Sequence, residues 1–224
     1  RSWIDSLVSL HNAGNLPDAG TLGLAPLAPL AKVHKRLDRE PATAGNLTDE
    51  ALNSIRQAAA ATTLAIAARG AFRSDAIVHG DLHAGQVLLP ADSSNALIID
   101  LDDLALGPVE FDLANFVANI VTSSGLYTGP ADRGFAVLSA AISDTYANAG
   151  GRRPDAALMR VFGAASLLRR ALKLAAVGRE WPSTPEICSV IQALLNASAH
   201  ATAQYPHSTR VANGSATAQQ APGC

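Results

Sequence analysis

The chain contains little of several residue classes, and each scarcity excludes something. Only two of its 224 residues are cysteine, Cys188 and Cys224, so no disulfide framework is expected and a cytoplasmic location is predicted. Lys and Arg number 17 against 19 Asp and Glu, which gives no basic excess for binding nucleic acid. The apolar stretch at 58–68 contains Thr62 and Thr63 and is too short to cross a bilayer. We therefore expect no nucleic-acid and no membrane partner.

What the chain does contain is an apolar fraction of 48%, which indicates a globular chain with one substantial core or two small domains. Apolar residues at helical spacing predict helices on both sides of a short β region. The predicted helices span 3–11, 48–68, 111–120, 133–148, 155–177 and 185–203. The second is predicted to bury one face, made of Leu52, Ile55, Ala59, Thr62 and Ile66.

Short apolar runs in the middle of the chain predict strands at 76–78, 87–89 and 97–99. Residues 90–95 separate the last two and have turn composition throughout. These two strands are therefore expected to pair as a hairpin, with polar loops at both ends that carry the chemistry. Residues 205–224 have no apolar period and are expected to form a disordered tail.

Residues 79–86 follow the first predicted strand directly and combine two histidines, an aspartate and two glycines. Asp81, on a loop that leaves a strand, would be held by rigid backbone and still face solvent, which suits a base that meets a substrate hydroxyl. Gly80 and Gly85 would let the loop bend through conformations closed to other residues. The amide oxygen of Gln86 can accept a hydrogen bond or bind a hard cation.

Three carboxylates follow the third predicted strand, at Asp100, Asp102 and Asp103. They would repel one another unless a cation or solvent compensates their charge. Mg²⁺ binds one or two carboxylates together with phosphate oxygens and water. Asp100, at the strand end, is the first candidate ligand; strand alternation would point Asp102 to the same side and Asp103 elsewhere.

Three motifs occur in the same order as in a known family, and the gaps between them are similar. They are residues 79–86 (His-Gly-Asp-Leu-His-Ala-Gly-Gln), the pair Ile99-Asp100, and residues 107–114, which contain Gly-Pro and then Phe-Asp-Leu-Ala. Together they resemble the aminoglycoside phosphotransferase and choline kinase family. The resemblance implies a protein-kinase-like fold, α+β and mostly helical, with a small β-hairpin patch that carries the catalytic and metal-binding loops.

The resemblance also implies a role for each matching residue. Asp81 would be the catalytic base, Asp100 a ligand of Mg²⁺ and Gln86 the second ligand on the metal side, while Asp112 would support the catalytic loop from the following helix. The family usually has Asn where this chain has Gln86, whose side chain is one methylene longer. ATP is the implied co-substrate and Mg²⁺ the implied cofactor; no residue is assigned to the nucleotide, and the sequence does not separate ATP from GTP.

Several polar residues near the motifs have plainer interpretations. His79 is more simply a structural histidine that hydrogen-bonds the loop than a proton shuttle, and a solvated loop position is the alternative for His83. Asp102 is as compatible with a solvated carboxylate as with a metal ligand. Arg169 and Arg170 could meet an anionic substrate, although a solvated helix face is the simpler prediction.

The implied reaction transfers the ATP γ-phosphoryl group to a hydroxyl of a small molecule, and the sequence is compatible with an aminoglycoside, a sugar or a similar polyol. The glycine-rich loop and strand-borne lysine that orient ATP in such kinases do not precede the helix at 6–11. Residues 1–204 therefore resemble a C-terminal lobe with its catalytic core at 76–121, and an N-terminal ATP-binding lobe is expected to be absent. Impaired turnover is expected from this chain alone. The oligomeric state is not determined by the sequence.

Two alternatives come from other functional classes. One is a non-catalytic lobe, either a fragment or a binding module, because the residues for chemistry are present without the nucleotide cover. The other is a metal-dependent phosphoesterase, since His79, Asp81 and His83 alternate like metal ligands. Such enzymes need further ligands on later strands, whereas the only later histidines are His200 and His207, so this alternative is the weaker one.

Overall fold

The computed structural model describes residues 2–13, 33, 35, 49–68, 75–90, 96–123, 131–176 and 184–203. The helices in these ranges are α1 (Trp3–His11), α2 (Asp49–Ala68), α3 (Val109–Thr122), α4 (Ala131–Asn148), α5 (Ala156–Ala176) and α6 (Thr184–Ala203). The strands are β1 (Ala76–Val78), β2 (Val87–Leu88), β3 (Leu97–Ile98) and β4 (Ala105–Gly107). The predicted class, α+β and mostly helical, is confirmed. None of the described helices is long and apolar enough to span a bilayer.

The strands form two separate antiparallel pairs. β2 pairs with β3, so the predicted hairpin is confirmed. β1 pairs with β4, with Ala76 opposite Gly107 and Val78 opposite Ala105. The sequence did not predict β4 because the segment carries no β-branched residue and has little strand preference of its own. Its pairing with β1 brings the chain that leaves the carboxylate cluster back beside the loop that follows β1.

Side-chain caps fix where two of the helices begin. At α1, Oγ of Ser2 accepts from the backbone N–H of Asp5 at 3.3 Å, and the Asp5 carboxylate accepts from the N–H of Ser2 at 2.9 Å. At α5, Oδ1 of Asp155 accepts from the N–H groups of Ala157 and Leu158 at 2.7 and 3.0 Å. These bonds satisfy donors that a first helical turn leaves unpaired. Both caps matter to the site, since α1 and α5 each supply one of its side chains.

Helix α3 lies at the centre of the helical part. It packs against α4 and α5, while α5 packs against α6, and α2 packs against both α5 and α6. The predicted face of α2 is buried at every position, from Leu52 at 8% exposure to Ile55 at 0%. Helix α3 also buries Glu110, Asp112 and Asn115. Buried polar groups are costly unless they are hydrogen-bonded, so these three side chains must have partners.

The prediction that Asp102 follows Asp100 on one side of a strand is wrong. Strand β3 ends at Ile98, Asp100 has φ 65° and ψ 59°, and Leu101–Asp103 form a 3₁₀ turn. The period-two alternation of an extended strand therefore does not apply beyond Asp100. The predicted tail at 205–224 lies outside the described residues.

Candidate active site

Asp81 lies on the loop that follows β1, and its side chain is 33% exposed. Its Oδ1 accepts from the guanidinium of Arg169 and, at 3.5 Å, from the amide of Asn115. Its Oδ2 has no hydrogen-bond partner within the described part of the chain. The carboxylate is therefore fixed through one oxygen and available through the other, as a general base for a substrate hydroxyl requires.

Asp112 lies beneath this loop and is fully buried in the first turn of α3. Its Oδ2 accepts from the N–H of His79 at 2.6 Å, and its Oδ1 accepts from the N–H of Gly80 at 3.0 Å. Its Oδ2 also lies 3.0 Å from Nε2 of His11. Three donors compensate the buried carboxylate for its lost hydration. The backbone is thereby held at the two residues that immediately precede Asp81.

Gly80 lets the loop pass close to the turn that follows β3. It has φ 86°, and a Cβ there would lie 2.0 Å from the carbonyl oxygen of Asp103, so both conformation and contact require glycine. Gly85 differs, because it is not among the described residues with positive φ. A Cβ at Gly85 would lie 3.2 Å from the ring of His83. Close packing on that ring, and not a special conformation, favours glycine at this position.

His79 joins the loop of Asp81 to the chain that precedes Asp100. Its ring is buried, Nε2 lies 2.9 Å from the carbonyl oxygen of Ile99, and Nδ1 lies 3.4 Å from the N–H of Asp81. A neutral ring that donates from Nε2 and accepts at Nδ1 satisfies both bonds. The imidazole thus links the two loops that carry the candidate base and the candidate metal ligand.

Gln86 makes a second link between these loops. Its side chain is 4% exposed, its Oε1 accepts from the N–H of His83 at 3.0 Å, and its Nε2 donates to Oδ2 of Asp100 at 3.0 Å. The amide nitrogen, and not the oxygen, therefore faces Asp100. Nδ1 of His83 accepts from the N–H of Gly85 at 3.2 Å and caps the short 3₁₀ turn Ala84–Gln86.

Asp100 has an exposed side chain and a left-handed backbone, which is uncommon for a residue other than glycine and is often found at functional sites. No group of three or more His, Cys, Asp or Glu side chains within the described ranges is placed to bind one metal ion. Mg²⁺ needs only one or two carboxylates when phosphate oxygens and water complete its shell, so Asp100 fits that binding mode. Asp102 is exposed on the following turn, without a hydrogen bond to Asp100.

Sequence reasoning missed the two side chains that hold Asp81. Nη2 of Arg169 donates to Asp81 and, at 3.3 Å, to Oδ1 of Asn115, whose amide donates to the carbonyl oxygen of Leu82 at 2.8 Å. Asn115 follows Asp112 by three positions, a spacing that places both on one helix face, so that signal was available. No local sequence pattern distinguished Arg169 from its neighbour Arg170. The pKa of Arg170 is lowered by burial and by the charge of Arg169.

A buried ion pair near the site was also missed. Glu110 has no exposed surface, and both of its carboxylate oxygens accept from Arg152 at 2.6 Å. Its Oε1 also accepts from the N–H of Asp155 at 2.7 Å, and Nε of Arg152 lies 3.5 Å from Asp75. Burial opposes the charge of Arg152, but the bonds and charge of Glu110 outweigh it and raise the pKa of Arg152. This cluster joins the chain before β1 to the starts of α3 and α5.

A cavity of about 220 Å³ lies beside the segment that leads into α5. It is lined by α4 and by the start of α5, with Phe135, Ser139, Asp144, Arg153, Met159 and Arg160 among its walls. Neither Asp81 nor Asp100 lines it. The hydrogen-bonded loops that carry these two residues therefore lie outside this cavity.

Comparisons with known proteins agree with the geometry. A family model described as "Phosphotransferase enzyme family" (APH) matches residues 1–177. The methylthioribose kinase of Geobacillus kaustophilus (strain HTA426) is 37% identical over 51 residues, which are 23% of this chain and 12% of that protein. The methylthioribose kinase of Bacillus velezensis (strain DSM 23117) is 32% identical over 73 residues, which are 33% of this chain and 18% of that protein. These matches thus span less than a fifth of the curated relatives.

One solved structure supports the fold. The choline kinase from Cryptosporidium parvum Iowa II superposes with a TM-score of 0.54 at 12% sequence identity. The match covers 90% of this chain and 64% of that one. The protein-kinase-like fold predicted from the motifs is thereby confirmed, and the likeness at this identity extends to the fold alone.

Proposed function

This chain belongs to the phosphotransferase enzyme family, and we propose that it transfers the γ-phosphoryl group of ATP to a hydroxyl of a small, sugar-like acceptor. The observation that carries the proposal is the hydrogen-bonded link from the loop of Asp81, through the His79 imidazole, to the residue before Asp100. Phosphoryl transfer relies on positioning and charge neutralisation more than on covalent chemistry. One base and one metal-binding carboxylate, tied into one unit, supply these two requirements.

Asp81 is proposed as the group that accepts the proton of the acceptor hydroxyl. Arg169 and Asn115 hold its Oδ1, which leaves Oδ2 for the substrate. Asp112 fixes the backbone that presents it. Rigid positioning of this kind contributes to catalysis because the entropic cost of alignment is met before the reaction begins.

Asp100 is proposed to hold Mg²⁺, which when bound would neutralise charge on the nucleotide phosphates. The amide of Gln86 donates to Asp100 Oδ2 and so orients the carboxylate, as outer-shell partners of metal ligands do. Direct ligation by Gln86 stays a prediction, and it would require Oε1 to serve both His83 N–H and the ion. Asp102 stays a candidate further ligand.

The proposed acceptor class is a ribose-type sugar. Two relatives that match this chain at 37% and 32% identity are named methylthioribose kinases, and their name supports a sugar hydroxyl over an aminoglycoside or choline. The same matches span only short parts of those proteins. The alternative is a non-catalytic lobe that binds ligands without turnover, and the experiment must distinguish it from an active phosphotransferase.

Calorimetric titration of Mg·ATP into the wild-type chain and into Asp100→Asn tests the metal site. We expect the wild-type chain to bind Mg·ATP and the Asp100→Asn variant to lose that binding. Phosphorylation of methylthioribose, an aminoglycoside and choline is then compared for the wild type and Asp81→Asn. Turnover of the sugar that Asp81→Asn abolishes, with nucleotide binding unchanged, would support the proposal. Mg·ATP binding without turnover of any acceptor would favour the non-catalytic alternative, and no binding at all would reject the proposal for this chain.

A further inference from the structure

A buried series of polar groups lies behind the site, and the proposed mechanism uses only its last member, Asp112. Oη of Tyr146 lies 2.7 Å from Nδ1 of His11, and Nε2 of His11 lies 3.0 Å from Oδ2 of Asp112. Tyr146, His11 and Asp112 are 1%, 2% and 0% exposed. They come from α4, α1 and α3, so the series joins three elements that are far apart in sequence.

At the carboxylate end of this series, only one assignment of hydrogen-bond donor and acceptor is possible. Asp112 is an acceptor when ionised, so Nε2 of His11 must carry the proton that it donates. If the imidazole is neutral, Nδ1 is then an acceptor, and the hydroxyl of Tyr146 is the donor in contact with it. If the imidazole is protonated, Nδ1 donates to that hydroxyl instead. Burial raises the pKa of Tyr146, and Glu110 and Asp112 add to this although Arg152 opposes it, so the hydroxyl keeps its proton.

Backbone packing holds the phenol ring in place. The N–H of Gly151 donates to the carbonyl oxygen of Tyr146 at 3.1 Å. A Cβ on Gly151 would lie 2.1 Å from Cε1 of the ring, so the turn after α4 covers the ring with bare backbone. The rings of His11 and Tyr146 lie 5.5 Å apart at 54°. The phenol ring therefore has no room to turn away from His11 without displacing this backbone.

We propose that Tyr146 and His11 are positioning residues for the transfer reaction. They fix the orientation in which Asp112 accepts hydrogen bonds from the backbone of the loop. In this way they determine where Asp81, which follows that backbone directly, presents its carboxylate. The consequence for catalysis rests on the proposed function, whereas the hydrogen-bond order does not. A residue that only packed would need neither the hydroxyl nor the ring nitrogens.

Three variants separate hydrogen bonding from packing. Tyr146→Phe removes only the hydroxyl. His11→Gln places an amide N–H near the position of the imidazole Nε2, while His11→Asn reaches only the position of Nδ1 and leaves Asp112 without this donor. Glutamine is therefore the conservative replacement and asparagine its matched control.

The first readout is nuclear magnetic resonance and needs no activity. In the wild type, the long-range ¹H–¹⁵N spectrum of the imidazole should show a proton on Nε2 of His11. The amide protons of His79 and Gly80 should move upfield and exchange faster in Tyr146→Phe and His11→Asn, and His11→Gln should stay nearer the wild type. An unprotonated Nε2, or amide resonances unchanged in both disruptive variants, would overturn the proposal. Should a variant fail to fold, the wild-type imidazole spectrum still decides.

The second readout is kinetic. His11→Asn should lower kcat by about tenfold while the acceptor KM changes less than about twofold, because misplacement of a reacting group reduces alignment more than binding. His11→Gln should recover most of that loss. A higher KM with unchanged kcat, or equal kcat for the glutamine and asparagine variants, would contradict a positioning role. If the wild type shows no turnover, the proposed function fails while the resonance experiment still judges the hydrogen-bond order.

Discussion

Arg169 and Asp81 form an ion pair although 88 positions separate them in the sequence. The arginine side chain is 26% exposed, so the pair is partly shielded from water and the solvated helix face predicted for Arg169 is wrong. The same Nη2 also donates to Asn115. This contact places a permanent positive charge beside the candidate base and fixes one of its two oxygens.

Removing that charge should reduce turnover more than binding. We expect Arg169→Ala to lower kcat by about 10- to 100-fold, because Asp81 loses the donor that fixes Oδ1. Arg169→Lys should retain part of the activity, since its ammonium keeps the charge without the planar guanidinium. Steady-state kinetics at saturating Mg·ATP would measure both. Arg153→Ala is the control, because Arg153 is 73% exposed and pairs with an exposed Asp144. An Arg169→Ala enzyme with wild-type kcat would contradict the assigned role.

Loss of Arg152 should destabilise the fold. Its removal leaves the fully buried carboxylate of Glu110 without its bidentate partner, and an unpaired buried charge costs about 3 kcal/mol. The free energy of unfolding, measured in urea for Arg152→Ala, should fall by about that amount. Arg153→Ala should change it by less than about 1 kcal/mol, as for an exposed ion pair. The double change Glu110→Gln with Arg152→Met should recover part of the loss. Equal effects of Arg152→Ala and Arg153→Ala would disprove the distinction.

Two glycines with positive φ allow conformation and contact to be measured separately. Gly80 has φ 86° and would place a Cβ against the Asp103 carbonyl, whereas Gly150 has φ 92° and nothing within 4 Å of such a Cβ. Gly150→Ala should cost about 1 kcal/mol of unfolding free energy from conformation alone. Gly80→Ala should cost at least about twice as much and weaken Mg·ATP binding, because the Asp103 turn must move. Thermal or urea unfolding of both variants tests this. Equal losses of unfolding free energy would show that the contact with the Asp103 carbonyl adds no measurable cost.

The sequence predicted those parts of the fold whose signals are local. The apolar period of α2, the turn composition between β2 and β3, and the glycine before Asp81 each act within a few residues, so each could be recognised in isolation. The bend at Asp100 could not, because residues 99–103 contain no glycine or proline to mark its left-handed φ and the following 3₁₀ turn. Strand alternation was therefore extended beyond Ile98, where β3 ends, as far as Asp102, and it misplaced that residue.

The missed site residues share a different cause. Arg169, His11 and Tyr146 meet the site only through packing of α5, α1 and α4 around α3, and nothing in their own neighbourhoods distinguishes them from surface or core residues. Asn115 is the exception, since its three-residue spacing from Asp112 marks the same helix face. Long-range placement of single polar side chains is thus the information that local pattern does not contain.

The left-handed backbone at Asp100 gives a prediction in which stability and binding move in opposite directions. Glycine adopts this conformation without steric cost, so Asp100→Gly should leave the free energy of unfolding unchanged or raise it by about 0.5–1 kcal/mol, because the strain at φ 65° is removed. The same variant lacks the carboxylate and should lose Mg·ATP binding. Asp100→Asn is the matched control, since asparagine tolerates the left-handed region and keeps a side chain without the charge. It should match the wild type in unfolding and the glycine variant in binding. If Asp100→Gly instead lowers stability by more than about 1 kcal/mol, the bond from Gln86 to Asp100 is worth more than the strain, and the conformation is held for the fold and not for the metal.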